Sequence, residues 1–400
     1  MAKNLDTKKD KIQREALQSW TLNNKIGTLE IITGLGKTFI FLHALYTMPK
    51  DRSIVHLFLA ETVTREADLL VDILNYNRIF GVDVLEDYNL QFYCYQTVYK
   101  WKDKSFGLVG ADEIHDSLTP AYSQFYINNK YDALIGLSAT VERKTKYEKE
   151  GYTKGELLDR ICPVIYTYNM TQAKEEGTTR KLKIFVITHK LDDKNKTIKA
   201  GNANKVFYQT EEAAYNYWDK EHKKSWFIQD QTLKDLKIRI TSTKRSRILY
   251  NLESKIPIVK KLLKHIKGKT IIFGNSLSSL EQITSNTVSS NNTEDVNKAI
   301  REAFDNDDIS IIGSFKKLKQ GANLKKLDNI IMMSYYSTEK DVIQRIGRLR
   351  DNGELGYVFI LLTVGTQEEV WFNKMFENIN DFDMIYCPDI EYCINKIKNE

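Results

Sequence analysis

Apolar runs of strand length alternate with helical patterns in the first 165 residues of the chain. The runs are TLEII, SIVHLFLA, LQFYCYQ, FGLVGAD and DALIGLSA, at residues 28–32, 53–60, 90–96, 106–112 and 132–139. Between the second and the third lies an amphipathic stretch, TREADLLVDILN, at residues 64–75. Continuous apolar strands separated by helices are typical of a parallel sheet that is covered on both faces. We therefore predict an α/β fold for this part of the chain.

A second α/β series follows a stretch that is less regular. The series comprises the helix IPIVKKLLKHI at 256–266 and the strands KTIIFG, ISIIGSF, NIIMMSYY and YVFILLT at 269–274, 309–315, 329–336 and 357–363. A chain of 400 residues also exceeds the ~250–300 residues at which single cores stop growing. We predict two lobes, residues 1–170 and 171–400, and residues 191–255, rich in Lys and aromatics, as a less regular part of the second.

Composition excludes several classes of protein. No apolar run approaches the ~20 residues that cross a bilayer, and the N-terminus lacks the apolar core of a signal peptide, so we expect a cytoplasmic protein without a membrane partner. The four cysteines are scattered and form no C-x-x-C pair, which argues against a disulfide framework and a zinc site. The net charge of +6 is compatible with nucleic-acid binding but does not require it.

A glycine-containing loop, TGLGKT, follows the first predicted strand and precedes an apolar helix. Backbone N–H groups at Gly34 and Gly36 can form a nest for anionic oxygens at the helix N-terminus. Lys37 would reach the β- and γ-phosphates of a nucleotide, and the Thr38 hydroxyl would hold Mg²⁺. Ile31 replaces the first glycine of the usual pattern, so a turn without a ligand is the alternative.

Two carboxylates follow another predicted strand, in the sequence GLVGADEIHDS at residues 107–117. Asp112 would bind Mg²⁺ mostly through water, and Glu113 would polarise the attacking water. The alternative is a solvated strand end, which is less plausible with a phosphate loop 75 residues upstream.

These segments resemble the motifs of superfamily 2 helicases of the DExH type. TGLGKT resembles motif I, DEIH motif II, LSAT motif III, KTIIFGNS motif IV, KQGANLKKLDN motif V and QRIGRLR motif VI. KIQREALQSW, at residues 11–20, resembles the glutamine-containing region that precedes motif I. The sequence of the C-terminal part resembles those of small phage-encoded DNA helicases that remodel forks and branched DNA. The resemblance implies two RecA-like lobes with ATP in the cleft between them.

The resemblance also implies roles for residues around ATP and Mg²⁺. Gln13 would contact the adenine, and the loop residues Thr33 and Leu35 and the motif V residue Gly321 would line the nucleotide site. In motif VI, Arg348 is the candidate arginine finger, with Arg345 and Gln344 close to the γ-phosphate. The family's last arginine of this motif is replaced by Asp351, and Arg350 lies one position early.

Coupling and nucleic-acid contacts are implied in the same way. His115 would connect the ATP site to Ser138 and Thr140 of motif III, or to motif VI. The candidate nucleic-acid contacts are Thr64, Arg65, Gln96, Thr97, Asn275 and Asn323. The aromatic residues of YNYWDKEHKKSWF, at 215–227, could stack on bases, but a structural helix is the favoured interpretation. The basic run KIRITSTKRSR, at 237–247, either contacts phosphate or is a solvated surface.

The sequence thus predicts an ATP-dependent DNA helicase or translocase that acts on duplex, forked or branched DNA in replication, recombination or repair. We expect a monomer in the cytoplasm, that of the host if the chain is phage-encoded, working with replication or recombination proteins. Three alternatives stay open: an RNA helicase, the motor subunit of a restriction system, and an ATP-gated nucleic-acid clamp that scarcely hydrolyses ATP.

Overall fold

Two compact units make up the part of the chain that the structure describes. This computed structural model describes residues 7–176, 182–202, 205–315, 327–334, 355–376 and 384–398. The first unit includes the described residues up to 176, and the second begins at residue 182. Within the described residues, no helix is both long enough and apolar enough to cross a membrane.

The first unit is built around one parallel sheet. The strands of this unit are β1 Ile26–Ile31, β2 Val55–Ala60, β3 Asn89–Cys94, β4 Ser105–Asp112, β5 Lys130–Ser138, β6 Lys146–Tyr147, β7 Tyr152–Thr153 and β8 Val164–Tyr168. Of these, β6 and β7 form a separate antiparallel ribbon of two residues each. The sheet has six parallel strands in the order β3-β2-β4-β5-β1-β8. The prediction of a parallel α/β sheet in this part of the chain is confirmed.

Helices cover both faces of this sheet. They are α1 Lys8–Leu22, α2 Lys37–Leu45, α3 Thr64–Phe80, α4 Val84–Asp87, α5 Tyr95–Val98, α6 Gln124–Asn128, α7 Lys154–Ile161 and α8 Met170–Glu175, with a 3-10 turn at Ile114–Asp116. Successive strand residues enter different cores: Phe58 packs on one face, whereas Leu57 and Leu59 pack on the other. Strands that are apolar at every position are therefore stable here, because each side chain has a covered face to enter.

The second unit has the same architecture. Its strands are β9 Leu182–His189, β10 Ile198–Asn202, β11 Lys205–Gln209, β12 Lys269–Gly274, β13 Thr287–Ser289, β14 Ile311–Phe315, β15 Leu327–Met332, β16 Gly356–Thr363 and β17 Met384–Cys387. Seven of them form a parallel sheet in the order β13-β14-β12-β15-β16-β9-β17. Its helices are α9 Glu211–Ser225, α10 Gln231–Tyr250, α11 Lys255–Leu263, α12 Leu277–Glu281, α13 Glu294–Asp305, α14 Gln367–Phe376 and α15 Ile390–Lys398.

The segment predicted to be less regular is largely helical. It contains the antiparallel hairpin β10–β11 followed by the two long helices α9 and α10, which pack on each other. The periodicity of α10 is weak because its apolar residues lie on two faces: Leu249 is buried, whereas Leu236 and Ile240 are exposed. Tyr215, which was favoured as structural, is buried, and its hydroxyl accepts a hydrogen bond from the Gln367 amide at 2.7 Å.

A buried ion pair joins four elements of the second unit. The Lys255 ammonium at the start of α11 lies 2.7 Å from a carboxylate oxygen of Glu368 on α14, and their side chains are 2% and 1% exposed. The ammonium also donates to the Met333 carbonyl after β15, and Glu368 accepts from the Thr363 amide at the end of β16. Such a pair, once formed, leaves an uncompensated buried charge if one partner is removed.

We expect Lys255→Met to lower the free energy of unfolding of the second unit by about 3–5 kcal/mol, because the Glu368 charge would be left buried. Hydrogen exchange of β16 amides in the full chain measures the loss for this unit. Lys298→Met, which removes an exposed pair with Glu302, is the control and should cost only about 0–1 kcal/mol. The double variant Lys255→Met, Glu368→Leu should regain most of the loss; no recovery would contradict a cost due to the unpaired charge.

Candidate active site

Three neighbouring strands of the first unit bring the predicted ATP-site residues to one edge of the sheet. Strand β5 lies between β4 and β1, and all three are parallel. The loop with Lys37 follows β1, the carboxylates Asp112 and Glu113 close β4, and Ser138 closes β5. The carboxyl edge of a parallel sheet is where ligands of α/β proteins bind.

The loop between β1 and α2 has the backbone of a phosphate-binding turn. Gly34 and Gly36 have φ angles of +91° and +77°, in the left-handed region that favours glycine. A side chain at Gly36 would also meet the amide nitrogen of Gln13, 2.6 Å from the position of a Cβ atom. That amide, buried on α1, donates to the Leu35 carbonyl at 2.7 Å. Gln13 therefore stabilises the conformation of the loop through its hydrogen bond to the Leu35 carbonyl.

The polar groups of this loop fit an anionic ligand. The first N–H groups of α2 have no intrahelical partner, and the helix dipole favours negative charge at this end. The Lys37 ammonium lies over the loop and donates to the Ile31 carbonyl at 3.1 Å. The Thr33 hydroxyl is buried, without a hydrogen-bond partner among the described residues. A phosphate chain would satisfy all of these groups.

Arg65 bridges the two residues that were predicted to hold Mg²⁺. Its Nη2 donates to the Thr38 hydroxyl oxygen at 2.7 Å, and its Nε donates to a carboxylate oxygen of Asp112, also at 2.7 Å. Arg65 lies in the first turn of α3 and was predicted to contact nucleic acid. In the structure it lies between two residues of the predicted ATP site, so a phosphate contact with nucleic acid would require its guanidinium to leave Asp112.

Acidic side chains surround this guanidinium. Asp68 and Asp72, on the same helix, each lie 3.9 Å from its Nη1. Burial lowers the pKa of Arg65, but the charges of Asp112, Asp72 and Asp68 more than offset this effect and raise the pKa above its ordinary value. Hydroxyl and carboxylate oxygens are the ligands that Mg²⁺ prefers. Because Thr38 and Asp112 already converge on a cationic group, they fit a site for that ion.

Glu113 has an unusual backbone and a defined set of neighbours. Its φ and ψ angles of 48° and 54° lie in the left-handed region, which few residues other than glycine adopt. Its carboxylate accepts a hydrogen bond from the Ser138 hydroxyl at 3.1 Å. Strained backbone of this kind occurs often at functional sites.

His115 connects motif II to motif III in the structure. Its ring is 1% exposed, and its Nδ1 lies 2.8 Å from the Ser138 hydroxyl and 3.6 Å from a carboxylate oxygen of Glu113. The Ser138 hydroxyl also lies within hydrogen-bond distance of the Thr140 carbonyl, 2.7 Å away. The three residues predicted to couple the site therefore form one network beside the candidate catalytic carboxylate.

The remaining predicted site residues are only partly described. Gln344, Arg345, Arg348, Gly321 and Asn323 lie outside the described residues. Of the nucleic-acid candidates, Gln96 and Thr97 are exposed on the short helix α5, directly after β3. Thr64 begins α3. Asn275 follows β12 in the second unit.

Three contacts at this site were not found from the sequence. Lys9 donates to the Gly34 carbonyl at 3.1 Å, and the buried Tyr95 hydroxyl donates to the Asp112 carbonyl at 2.7 Å. The bridge made by Arg65 is the third. The one available indication was the spacing of Asp68 and Asp72, three and seven residues after Arg65, which places them with Arg65 on one face of a helix.

We expect Arg65→Met to make the stability of the first unit depend on Mg²⁺. Without the guanidinium, Asp112, Asp68 and Asp72 would repel one another, and Mg²⁺ would relieve that repulsion. The variant should therefore melt lower than the wild type in EDTA, and millimolar Mg²⁺ without nucleotide should raise its Tm more than that of the wild type. Arg52→Met, at an exposed pair with Glu86, is the matched control. Equal Mg²⁺ effects in all three proteins would show that Arg65 does not occupy a cation site.

Two family models match the chain, one in each unit. Residues 6–143 match the model described as "Type III restriction enzyme, res subunit", and residues 254–353 match that described as "Helicase conserved C-terminal domain". No curated protein sequence matches the chain.

Solved structures share the fold at low sequence identity. The ATP-dependent Type ISP restriction-modification enzyme LlaBIII bound to DNA is 14% identical with a TM-score of 0.60, over 94% of this chain and 31% of that one. Saccharomyces cerevisiae Dbp5 bound to RNA and ADP BeF3 is 13% identical with a TM-score of 0.58, over 97% and 93% of the two chains. The Pyrococcus furiosus Hef helicase domain is 13% identical with a TM-score of 0.50, over 90% and 99%.

The chain spans about a third of the restriction-modification enzyme that it matches. The predicted fold of two RecA-like lobes is confirmed, because each unit has a parallel sheet flanked by helices and the neighbours share this architecture. Taken together, the two matched domains and the structural neighbours support a superfamily 2 helicase.

Proposed function

We propose that the chain is an ATP-dependent DNA helicase or translocase that remodels duplex or branched DNA. The observation that carries the ATPase part is the convergence of Lys37, Thr38, Asp112 and Glu113 at the carboxyl edge of β1 and β4. The DNA part is supported by the match to a restriction-enzyme subunit and by a neighbour that is bound to DNA.

The residues of the first unit have separate tasks in ATP hydrolysis. Lys37 and the amides at the start of α2 would hold the phosphates, and Thr38 and Asp112 would hold Mg²⁺ in place of Arg65. Mg²⁺, when bound, supplies neutralisation of the charge on the phosphate oxygens. Glu113 would orient the attacking water and accept its proton, in a position fixed by the hydrogen bond from Ser138. Arg348, from the second unit, would supply the arginine finger.

The Ser138 hydroxyl gives the site a route for responding to nucleic acid. It contacts Glu113, His115 and the Thr140 carbonyl, so a small movement of the segment after β5 changes the hydrogen bonding of the candidate base. We propose that binding of DNA acts on Glu113 through this network. The exposed residues Gln96 and Thr97 of α5 lie at the same edge of the sheet and are proposed to contact DNA.

An RNA helicase is the second candidate. A neighbour that aligns over 97% of this chain is bound to RNA, and the residues proposed to grip nucleic acid would contact phosphate rather than a particular sugar. The ATP site therefore does not distinguish a DNA helicase from an RNA helicase. The nucleic acid that stimulates ATP turnover distinguishes them.

We expect Lys37→Ala and Glu113→Gln each to lower ATP turnover by a factor of ~10² or more, since general-base catalysis alone contributes ~10²–10⁴. Glu113→Gln should keep nucleotide affinity, because only the proton acceptor is lost. Steady-state ATPase assays and binding of a fluorescent nucleotide separate the two effects. Lys11→Ala and Glu86→Gln, both at exposed ion pairs, are the matched controls. Wild-type turnover in either site variant would refute the assignment.

We expect duplex, forked or four-way DNA to stimulate ATP turnover by the wild type more than RNA of the same length. The measurement compares initial ATPase rates with each nucleic acid as the sole activator at one ionic strength, because backbone binding weakens steeply with salt. Stimulation by RNA alone would favour the RNA helicase. Binding of DNA without stimulation by any activator would favour an ATP-gated clamp.

A further inference from the structure

A groove of about 420 Å³ lies between α10 and the segment that follows β12 in the second unit. The described residues that line it are Ser242, Thr243, Ser246, Arg247, Tyr250, Asn251 and Asn275. Six of them come from α10 and the residue after it, and Asn275 follows the last residue of β12. The groove thus joins the helical segment 211–250 to the parallel sheet of this unit.

The lining is rich in hydrogen-bond donors, and no carboxylate is present among its described residues. The Nδ2 of Asn275 is buried and lacks a partner within the described structure. Arg247 is exposed and forms no salt bridge with a described residue, and Ser242 and Ser246 line the same space. An oxyanion is the ligand that satisfies an orphan amide, hydroxyls and a guanidinium at once.

The walls of this groove are held in place by buried contacts. On α10, the guanidinium of Arg245 pairs with Asp219 of α9 at 2.6 Å and donates to Gln367 of α14 at 2.8 Å. On the opposite wall, the backbone N–H of Asn275 donates to the Ser334 hydroxyl at 3.1 Å. The groove is therefore preorganised, and binding would not require ordering of its walls.

Charge along α10 extends beyond the groove. The helix carries six cationic side chains and one carboxylate, Asp235. Arg245 is buried in its ion pair, whereas Lys237, Lys244 and Arg247, which lie on one face of the helix, are exposed and have no salt bridge among the described residues. A row of unpaired cations on one helix suits a polyanion better than a single small anion.

A larger cavity of about 750 Å³ adjoins the groove and shares Arg247 and Asn251 with it. Its walls include the aromatic side chains of Phe207, Tyr217 and Trp218, together with Lys244 and one carboxylate, Glu253. Aromatic faces beside a cationic groove are the combination that binds single-stranded nucleic acid, because bases stack while phosphates are held.

We infer that this groove grips the phosphate backbone of single-stranded DNA and that the adjoining cavity receives its bases. The inference rests on the proposed function, and it adds contacts from α10, which lies between the two matched domains, to the motif IV residue Asn275. Arg247, at the border of both spaces, holds a phosphate, Asn275 and Ser246 complete the grip, and Tyr217 provides a stacking surface.

The test measures binding of a fluorescent 12-nucleotide poly-dT strand to the full chain without ATP. Arg247→Gln removes a charged donor and should weaken binding about tenfold or more. It should also lower the slope of log Kd against log salt by about 0.7, the value for one phosphate of a single strand. Ser246→Asp, which introduces a carboxylate into the groove, should weaken binding further. Arg239→Gln is the matched control, because Arg239 is an exposed arginine of α10 that lines neither space.

A tyrosine variant and a matched control test the aromatic wall of the larger cavity. Tyr217→Ala should weaken poly-dT binding severalfold but leave binding of an abasic strand unchanged, because only the stacking contact is lost. Tyr208→Ala is the control, since both tyrosines are 54% exposed and Tyr208 lines neither space. Circular dichroism and melting of each variant establish that the fold is intact.

Equal affinities of Arg247→Gln and Arg239→Gln would overturn the inference, and so would a loss confined to duplex DNA. Displacement of the strand by 5 mM inorganic phosphate at constant ionic strength would also overturn it, in favour of a small-anion site. Strand binding is measured without ATP, so failure of this inference is distinguishable from failure of the proposed function. The latter would appear in a separate assay, as ATP turnover by the wild type that DNA does not change.

Discussion

Burial of both faces of a parallel sheet is the constraint on which the rest of this structure depends. Because Leu57, Phe58 and Leu59 of one strand all enter a core, a polar group in the middle of the sheet has no access to solvent or ligand. The functional groups are confined to the strand ends, where the chain leaves the core. Asp112, Glu113 and Ser138 lie at such ends, and the order of the strands makes them neighbours.

The second unit meets the same constraint with a different solution at its strand ends. Here the polar groups at the ends of β15 and β16 are used for the Lys255–Glu368 pair, which is closed to solvent. The His189 side chain at the end of β9 belongs to the same region: burial, and then the charge of Lys255, lower its pKa to about 3. It stays neutral at ordinary pH and accepts or donates a hydrogen bond with the Thr363 hydroxyl. The carboxyl edge of the first sheet therefore carries the candidate catalytic groups, whereas the polar groups at that edge of the second sheet are largely used to stabilise the fold.

Much of the fold followed from the sequence, because apolar runs such as KTIIFG report burial on both faces and correspond to a strand of the same bounds. The turn between β1 and α2 was also predictable, since the positive φ angles of Gly34 and Gly36 are a local requirement of such a turn. A structural helix was favoured at 215–227, where α9 lies, but α10 was not predicted, because its exposed apolar residues disturb the periodicity on which a helix prediction relies. The position of Arg65 was not predictable either: its partner Asp112 is 47 residues away, and only the tertiary fold brings them together.

The bridge made by Arg65 changes how a metal ion could enter this site. The Arg65 guanidinium is covalently attached to the protein and cannot diffuse away. Binding of Mg²⁺ between Thr38 and Asp112 would therefore require displacement of one cation by another. The incoming ion must displace a guanidinium that three carboxylates favour. Free Mg²⁺ is a poor competitor in such an exchange, whereas an ion that arrives together with phosphate oxygens brings its own compensating charge. If Thr38 and Asp112 hold Mg²⁺ as proposed, Arg65 would make the site selective for the metal–nucleotide complex over the bare metal.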